Sequence, residues 1–363
     1  MVRRFQVAGL AFSLDGPDDD PVWEQLHNYD PFVISACAPP LPGSQPPETS
    51  FGPHRCACRT PQIKDLRGPH TSLAVPPLTM PRVGPPEKHA FPGYPRAARF
   101  PEAAAASASE QAELFRLQMA DQVPEVKRQP LYESPKESGE PVVGLWQTDN
   151  GYFSEFRPHP NAPVCGQLEM SADFRYGRIY ASGSVADRTF AVNNALMLLY
   201  AFASAPFSAL EMHASVVMHR GRGFLFLGRS GTGKSTHSRL WLKHIDGTEL
   251  LNDDNPVLRV VDGEARVYGT PWSGKTPCYK AQDVPVGAIV RLSQAPANSI
   301  ERLGAAAAYA SVMASTSGFR PIRSLADAQH ETIATVALQV PCYHLNCLPD
   351  EGAARLCCET VDG

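Results

Sequence analysis

The sequence predicts an α/β protein: a P-loop domain with a mixed sheet, preceded by a smaller α+β part that carries a proline-rich irregular segment. Three observations predict it. An apolar run, a glycine-rich loop and a helix-like stretch follow one another in "FLFLGRSGTGKSTHSRLWL", Phe224 to Leu242. Short alternating segments with Asn-Gly and Asp-Gly turns lie on both sides of it. Prolines crowd between Pro39 and Pro101, where neither a helix nor a central strand tolerates them.

From the N-terminus, "RRFQVAGLAFSL" reads as a strand, so residues 1–38 form an N-terminal strand region. Residues 39–101 are proline-rich coil or linker, with "APPLPGSQPP", "AVPPLTMPRVGPPEK" and "FPGYPRAARFP" in succession. Each proline removes a backbone donor and fixes φ, which predicts extended chain draped on a surface or a disordered linker. Residues 102–205 form an accessory α+β region. In it, "PEAAAASASEQAELFRLQMADQV" reads as a helix opened by a proline. The stretch from "VVGLWQTDNGYFSEFRP" through "CGQLEMSADFRYGRIYASG" reads as antiparallel hairpins separated by Asn-Gly and Tyr-Gly turns, and Thr189 to Ala205 reads as a helix.

Residues 206–363 form the P-loop domain. A hairpin turns at Asp262-Gly263, and "GAIVRL" and "CYHLNC" read as buried strands. Alanine-rich helices span about Leu303 to Thr316 and Ala326 to Leu338, and Pro349-Asp350 opens a last helix.

Composition excludes several partner classes. A net charge of −4 without a basic block gives no footprint for nucleic acid or an anionic membrane. The apolar "ALMLLYAFASAPFSAL" contains Pro206 and is flanked by Asn193, Asn194 and Glu211, which predicts a buried helix and its exit rather than a membrane span. After Arg3 and Arg4 the apolar part is short and ends in "DGPDDD", unlike a signal peptide. Nine cysteines without regular spacing suit reduced thiols in the cytoplasm. Neither "HRCAC" (His54 to Cys58) nor the Cys357-Cys358 pair has zinc spacing with a second half-site.

The pattern Gly228-x-x-x-x-Gly233-Lys234-Ser235 assigns each residue a mechanical task. The loop Gly228, Ser230, Gly231, Thr232, Gly233 lets backbone N–H groups turn inward and approach phosphate oxygens. The helix that follows, roughly Lys234 to His244 with Thr236 in its first turn, offers its positive end to the same anion. Lys234 would neutralise the β- and γ-phosphates, and the Ser235 hydroxyl would ligate a magnesium ion. The expected cofactors are therefore ATP and Mg²⁺, with Mn²⁺ as a substitute.

His213 lies fifteen positions before Gly228, and "LLNDDNPV", with paired Asp253 and Asp254, follows about twenty-five positions after it. This arrangement of histidine, P-loop and paired aspartates resembles HPr kinase/phosphorylase, and more distantly phosphoenolpyruvate carboxykinase. "GTPWSGK" (Gly269 to Lys275), "VPVGAIVRLSQAPANSIERL" and "VPCYHLNC" look like bacterial HPr-kinase-related proteins. The likeness covers about His213 to Cys358. It departs from HPr kinase at Thr236, where that enzyme often has an acidic residue, and in the N-terminal part.

The resemblance implies a P-loop domain of the HPr kinase/phosphoenolpyruvate carboxykinase type. It implies Asp253 as the group that accepts a hydroxyl proton, with Asp254 and Ser235 near the metal; the two aspartates can exchange those roles. His213 matches a metal ligand of the carboxykinase branch, and it serves equally as a group that orients phosphate or as a hydrogen-bonded core residue. Lys275 is a candidate for the transferring phosphate or the acceptor, Trp272 for a binding wall, and Arg320 for charge stabilisation. The implied activity is ATP-dependent transfer to a hydroxyl of a peptide, protein or small-molecule acceptor, and a homo-oligomer is compatible with it. A carboxykinase-like lyase and a nucleotide-sensing partner protein are the other two readings.

Overall fold

A computed structural model describes residues 1–34, 113–121, 125–134, 141–274, 276–318 and 321–363. The proline-rich span 39–101, the "HRCAC" cluster, Lys275 and Arg320 lie outside the described residues. The chain is a mixed α/β protein with two mixed sheets.

The first sheet is built from β1 (Val2–Val7), β2 (Leu10–Asp15), β3 (Phe115–Met119), β4 (Gln129–Glu133), β5 (Val142–Thr148), β6 (Gly151–Arg157), β7 (Gly166–Ser171) and β8 (Tyr176–Ala181). Its order is β1-β2-β3-β8-β7-β6-β5-β4. The stretch read as one N-terminal strand is a hairpin. Ala8 and Gly9, at φ 51° and 75°, make the left-handed two-residue turn that matches strand twist. A short helix α1 (Val22–Gln25) and a 3₁₀ turn (His27–Phe32) follow it.

The helix expected from Pro101 onward is corrected within its described part: Phe115–Met119 is strand β3, parallel to both β2 and β8. Phe115 and Leu117 alternate inward at 1 % and 0 % exposure, so a two-residue burial period overrides local helix propensity. The hairpin expected at Asn150-Gly151 does join β5 to β6, with Asp149 and Asn150 as its two loop residues and Gly151 already paired with Thr148. Tyr176-Gly177, by contrast, lies inside β8. A Cβ on Gly177 would come within 2.9 Å of Leu117 and Leu199, so glycine there permits close packing rather than turning the chain.

Helix α2 (Val185–Ser204) opens on a capping box in which Ser184 and Asp187 bond each other's backbone N–H. It is long and apolar enough to cross a membrane, yet most of it is buried in the fold. It forms the centre of a core that also takes in Trp272, Ile322 and Leu325 from beyond residue 205.

The second sheet comprises β9 (Ala209–Glu211), β10 (Ala214–His219), β11 (Arg222–Leu227), β12 (Glu249–Asp254), β13 (Val257–Val261), β14 (Glu264–Tyr268), β15 (Asp283–Gln294), β16 (Ser299–Arg302) and β17 (Cys342–Cys347). The order β12-β10-β11-β15-β14-β13-β9 is extended by β17 on β15 and β16 on β17. Helices α3 (Lys234–His244), α4 (Ala305–Ser315), α5 (Arg323–Gln339) and α6 (Glu351–Val361) complete it. One core packs a sheet face against α4 and α5, and another packs the opposite face against α3 and α6. Parallel β11 and β15 are thus covered on both sides, which explains the unbroken apolar run Phe224–Leu227.

Trp241 anchors α3. It is fully buried against Phe224 and Phe226, at ring separations of 5.3 and 5.6 Å, and its Nε1–H donates to His237 Nε2 at 3.1 Å. His237 Nε2 is therefore an acceptor, and burial pushes the imidazole down to about 4. The unfolded chain takes up this proton near pH 6.5 and the folded chain does not. Its stability contribution is complete above pH 6.5 and lost as pH falls toward 4, by about 3 kcal/mol in all. Calorimetric melting temperatures should fall over that window, and less steeply in His237→Gln. An unchanged slope in that variant would assign the acid lability elsewhere.

Candidate functional site

The loop from Gly228 to Gly233 joins the end of β11 to the start of α3, as the motif requires. Gly231 and Gly233 have φ of 78° and 110°, which L-side chains rarely adopt, and a Cβ on either would meet nothing within 4 Å. The loop closes on itself through Thr232 N–H to Arg229 O at 3.1 Å, and Gln294 Nε2 steadies the carbonyls of Gly231 and Thr232 at 3.3 and 3.4 Å. Ser230 and Gly231 are exposed, while Ser235 and Thr236 are half-buried. Helix α3 begins at Gly233 with no side-chain cap, so its first N–H groups face the loop.

Lys234 is 8 % exposed. Its Nζ contacts His213 Nε2 at 2.9 Å, Gly228 O at 3.1 Å and Arg229 O at 3.4 Å. An ammonium has three donors and no acceptor, so His213 Nε2 accepts and the ring is neutral. Burial, aided by the Lys234 charge, pushes His213 down to about 3. Burial also lowers Lys234, against the opposing pull of Asp254 and Asp253. Asp254 Oδ1 stands 3.5 Å from the same His213 nitrogen.

The aspartates reach the site through strand register. On β10 and β12, Ser215 pairs with Asp253 and Ala214 with Asp254. Cross-strand partners share a face. Asp253 therefore stands on the face where Ser215 Oγ meets Ser238 Oγ of α3 at 2.5 Å. Asp253 is 4 % exposed, and its charge acts on the Lys234 ammonium. Both aspartates belong to strand β12, whose other edge is held by the 273–274 segment: Gly274 N–H donates to Asp253 O at 2.7 Å, and Asp254 pairs with Ser273.

The structure thus brings His213, Lys234, Asp253 and Asp254 together at the loop. Trp272 is not a wall of the site: at 1 % exposure it is buried between Tyr29 and Tyr200, since its ring fills the core under α2. Sequence reasoning passed over Glu211. It is buried, and desolvation, with the nearby Asp254 charge, raises its carboxyl well above the usual range. The only sequence signal was its place two residues before His213.

Elsewhere, ligand atoms of His219, Cys358 and Asp362 lie within 4.8 Å of one another. Arg220 and Arg222 already occupy both Asp362 oxygens, and their charge opposes a cation. This network ties the C-terminal helix to the β10–β11 hairpin.

Among known proteins, the chain matches no family model and no curated protein. One solved structure with detectable likeness is the Hpr(Ser) kinase/phosphatase from Coxiella burnetii. It is 14 % identical over 42 % of this chain and 99 % of its own, with a TM-score of 0.25. At that level of likeness nothing about activity passes from that enzyme to this chain.

Proposed function

We propose that the protein is an ATP-dependent phosphotransferase resembling HPr kinase, moving the γ-phosphate to a hydroxyl of a peptide, protein or small molecule. The observation that carries this reading is the convergence at one uncapped helix N-terminus of a buried ammonium, a neutral histidine and two aspartates. Phosphoryl transfer asks for that set: fixed cationic donors for the phosphates, oxygen and nitrogen ligands for a metal, and a carboxylate at the acceptor.

In this reading Gly228, Ser230, Gly231, Thr232, Gly233, Lys234, Ser235 and Thr236 form the nucleotide loop. Ser235, Asp254 and His213 would hold the metal. A buried carboxylate acting on the Lys234 ammonium, on Asp253, suits such a charge-rich site better than a packed apolar core does. Bound Mg²⁺ would neutralise the phosphate oxygens. The chain's own residues do the rest: Lys234 draws the phosphates to the loop, and Asp253 takes the acceptor proton. Lys275, outside the described residues, keeps its candidacy for the acceptor side. The six described cysteines are free, which suits action in the cytoplasm.

The test uses full-length protein with MgATP. Calorimetry should show saturable binding, and γ-labelled ATP should release label to water when no acceptor is supplied. A folded protein that binds no nucleotide refutes the proposal. Binding without turnover favours nucleotide sensing, and ATP-dependent consumption of oxaloacetate favours the lyase.

A further inference from the structure

We infer that Tyr29, on the N-terminal 3₁₀ turn, is a positioning residue for the Asp253–Asp254 segment, acting through Trp272. A continuous chain of contacts supports this. The buried Tyr29 hydroxyl accepts from Trp272 Nε1–H at 2.8 Å and donates to Asn193 Oδ1 of α2 at 2.9 Å. Asn28, on the same turn, donates to Pro271 O at 2.9 Å. Two adjacent residues of the N-terminal turn thus grip two adjacent residues of the loop that leads into "SGK".

From that loop the contacts run to the aspartates. Asn252 Nδ2 donates to Thr270 Oγ1 at 3.1 Å and to Trp272 O at 3.3 Å. Thr270 Oγ1 in turn donates to Asn255 O at 2.7 Å. Both residues that flank the Asp pair are therefore tied to the 270–272 turn. Two residues further on, Gly274 N–H holds Asp253 O at 2.7 Å, and a Cβ on Gly274 would come within 2.7 Å of that carbonyl. The loop has no slack: a shift of Trp272 moves Gly274 and, with it, the backbone that aims both aspartates.

Tyr29 sits 224 residues before Asp253 (253 − 29), and its hydroxyl bonds Trp272 and Asn193, so any effect on the aspartates passes through the 270–274 loop. Its hydroxyl is the only described partner of Trp272 Nε1, so its removal frees that ring without emptying the core around it. Misplacement of reacting groups by about 1 Å costs up to about a hundredfold in rate.

The positioning role is independent of the chemistry, whereas its kinetic consequence rests on the phosphotransferase reading, and the experiment separates the two. In full-length Tyr29→Phe, hydrogen exchange at the Gly274 amide should speed up about tenfold or more while the β13–β14 amides keep their protection. The turnover number for ATP hydrolysis should fall about tenfold with MgATP affinity unchanged. If Tyr29→Phe does not fold, Asn28→Ala, at a half-buried position, carries the same test. If wild type shows no turnover, the phosphotransferase reading fails and the exchange result alone decides the positioning role. Unchanged Gly274 exchange alongside a lowered melting temperature would overturn the inference and leave Tyr29 a core residue.

Discussion

Asp253→Asn should lower the rate of γ-phosphate transfer by about 10² to 10⁴ while MgATP affinity stays close to that of wild type. In the proposed mechanism the carboxylate would act on the acceptor proton, which moves only in the transition state, whereas the loop would hold the phosphates already in the ground state. Geometry makes the separation clean. The register places Asp253 opposite Ser215 on the face toward α3, whereas Asp254 Oδ1 lies 3.5 Å from His213 Nε2, on the side proposed for the metal. Asp254→Asn should therefore weaken metal-dependent nucleotide binding along with the rate. Asparagine is close to isosteric with aspartate, and the Gly274 bond goes to the Asp253 backbone carbonyl, so the fold should survive. Single-turnover measurement with labelled ATP gives the result, with water as acceptor until another is known. Full activity in a folded Asp253→Asn protein would refute the assigned role. Activity lost together with binding would exchange the two aspartates.

Lys234→Ala should lower MgATP affinity by about 2–5 kcal/mol, about thirtyfold or more. The ammonium is buried, and its three neighbours, His213 Nε2 and the carbonyls of Gly228 and Arg229, hold it at the loop rather than in solvent. Alanine leaves the phosphate negative charge facing backbone dipoles alone. A second readout needs no nucleotide. The Lys234 charge is one of two causes that depress His213, so in the variant the imidazole should titrate closer to its usual range, with burial still holding it below. Calorimetry checks the first effect and proton-resolved titration of His213 the second. Equal MgATP affinity in the two proteins would remove the loop as the nucleotide site.

How much of this was legible beforehand differs from element to element. Strand β11, the glycine loop and helix α3 were readable with nearly correct ends, because apolar run, left-handed glycines and amphipathic helix lie within about twenty consecutive residues. The Asp262-Gly263 turn was readable for the same reason: both residues adopt positive φ, and their types announce it. Strand β3 was not. "FRLQM" follows an alanine-rich stretch that favours helix, and only the free slot between β2 and β8 makes it a strand.

The sequence by itself determined which chemical groups the protein owns and the local geometry that glycine, proline and apolar periodicity impose. It set the loop, the histidine and the paired aspartates as candidates because spacing along the chain is itself the signal. Tertiary structure alone decided what those groups face. Trp272, read as a binding wall, became a buried strut to Tyr29, and Glu211, unmarked in the sequence, became a buried carboxyl with a raised pKa beside the site. The physical reason is that protonation, desolvation and hydrogen-bond partnership depend on neighbours distant in sequence. His213 is an ordinary imidazole until β10, α3 and β12 close around it, remove its water and set a lysine 2.9 Å from its ring.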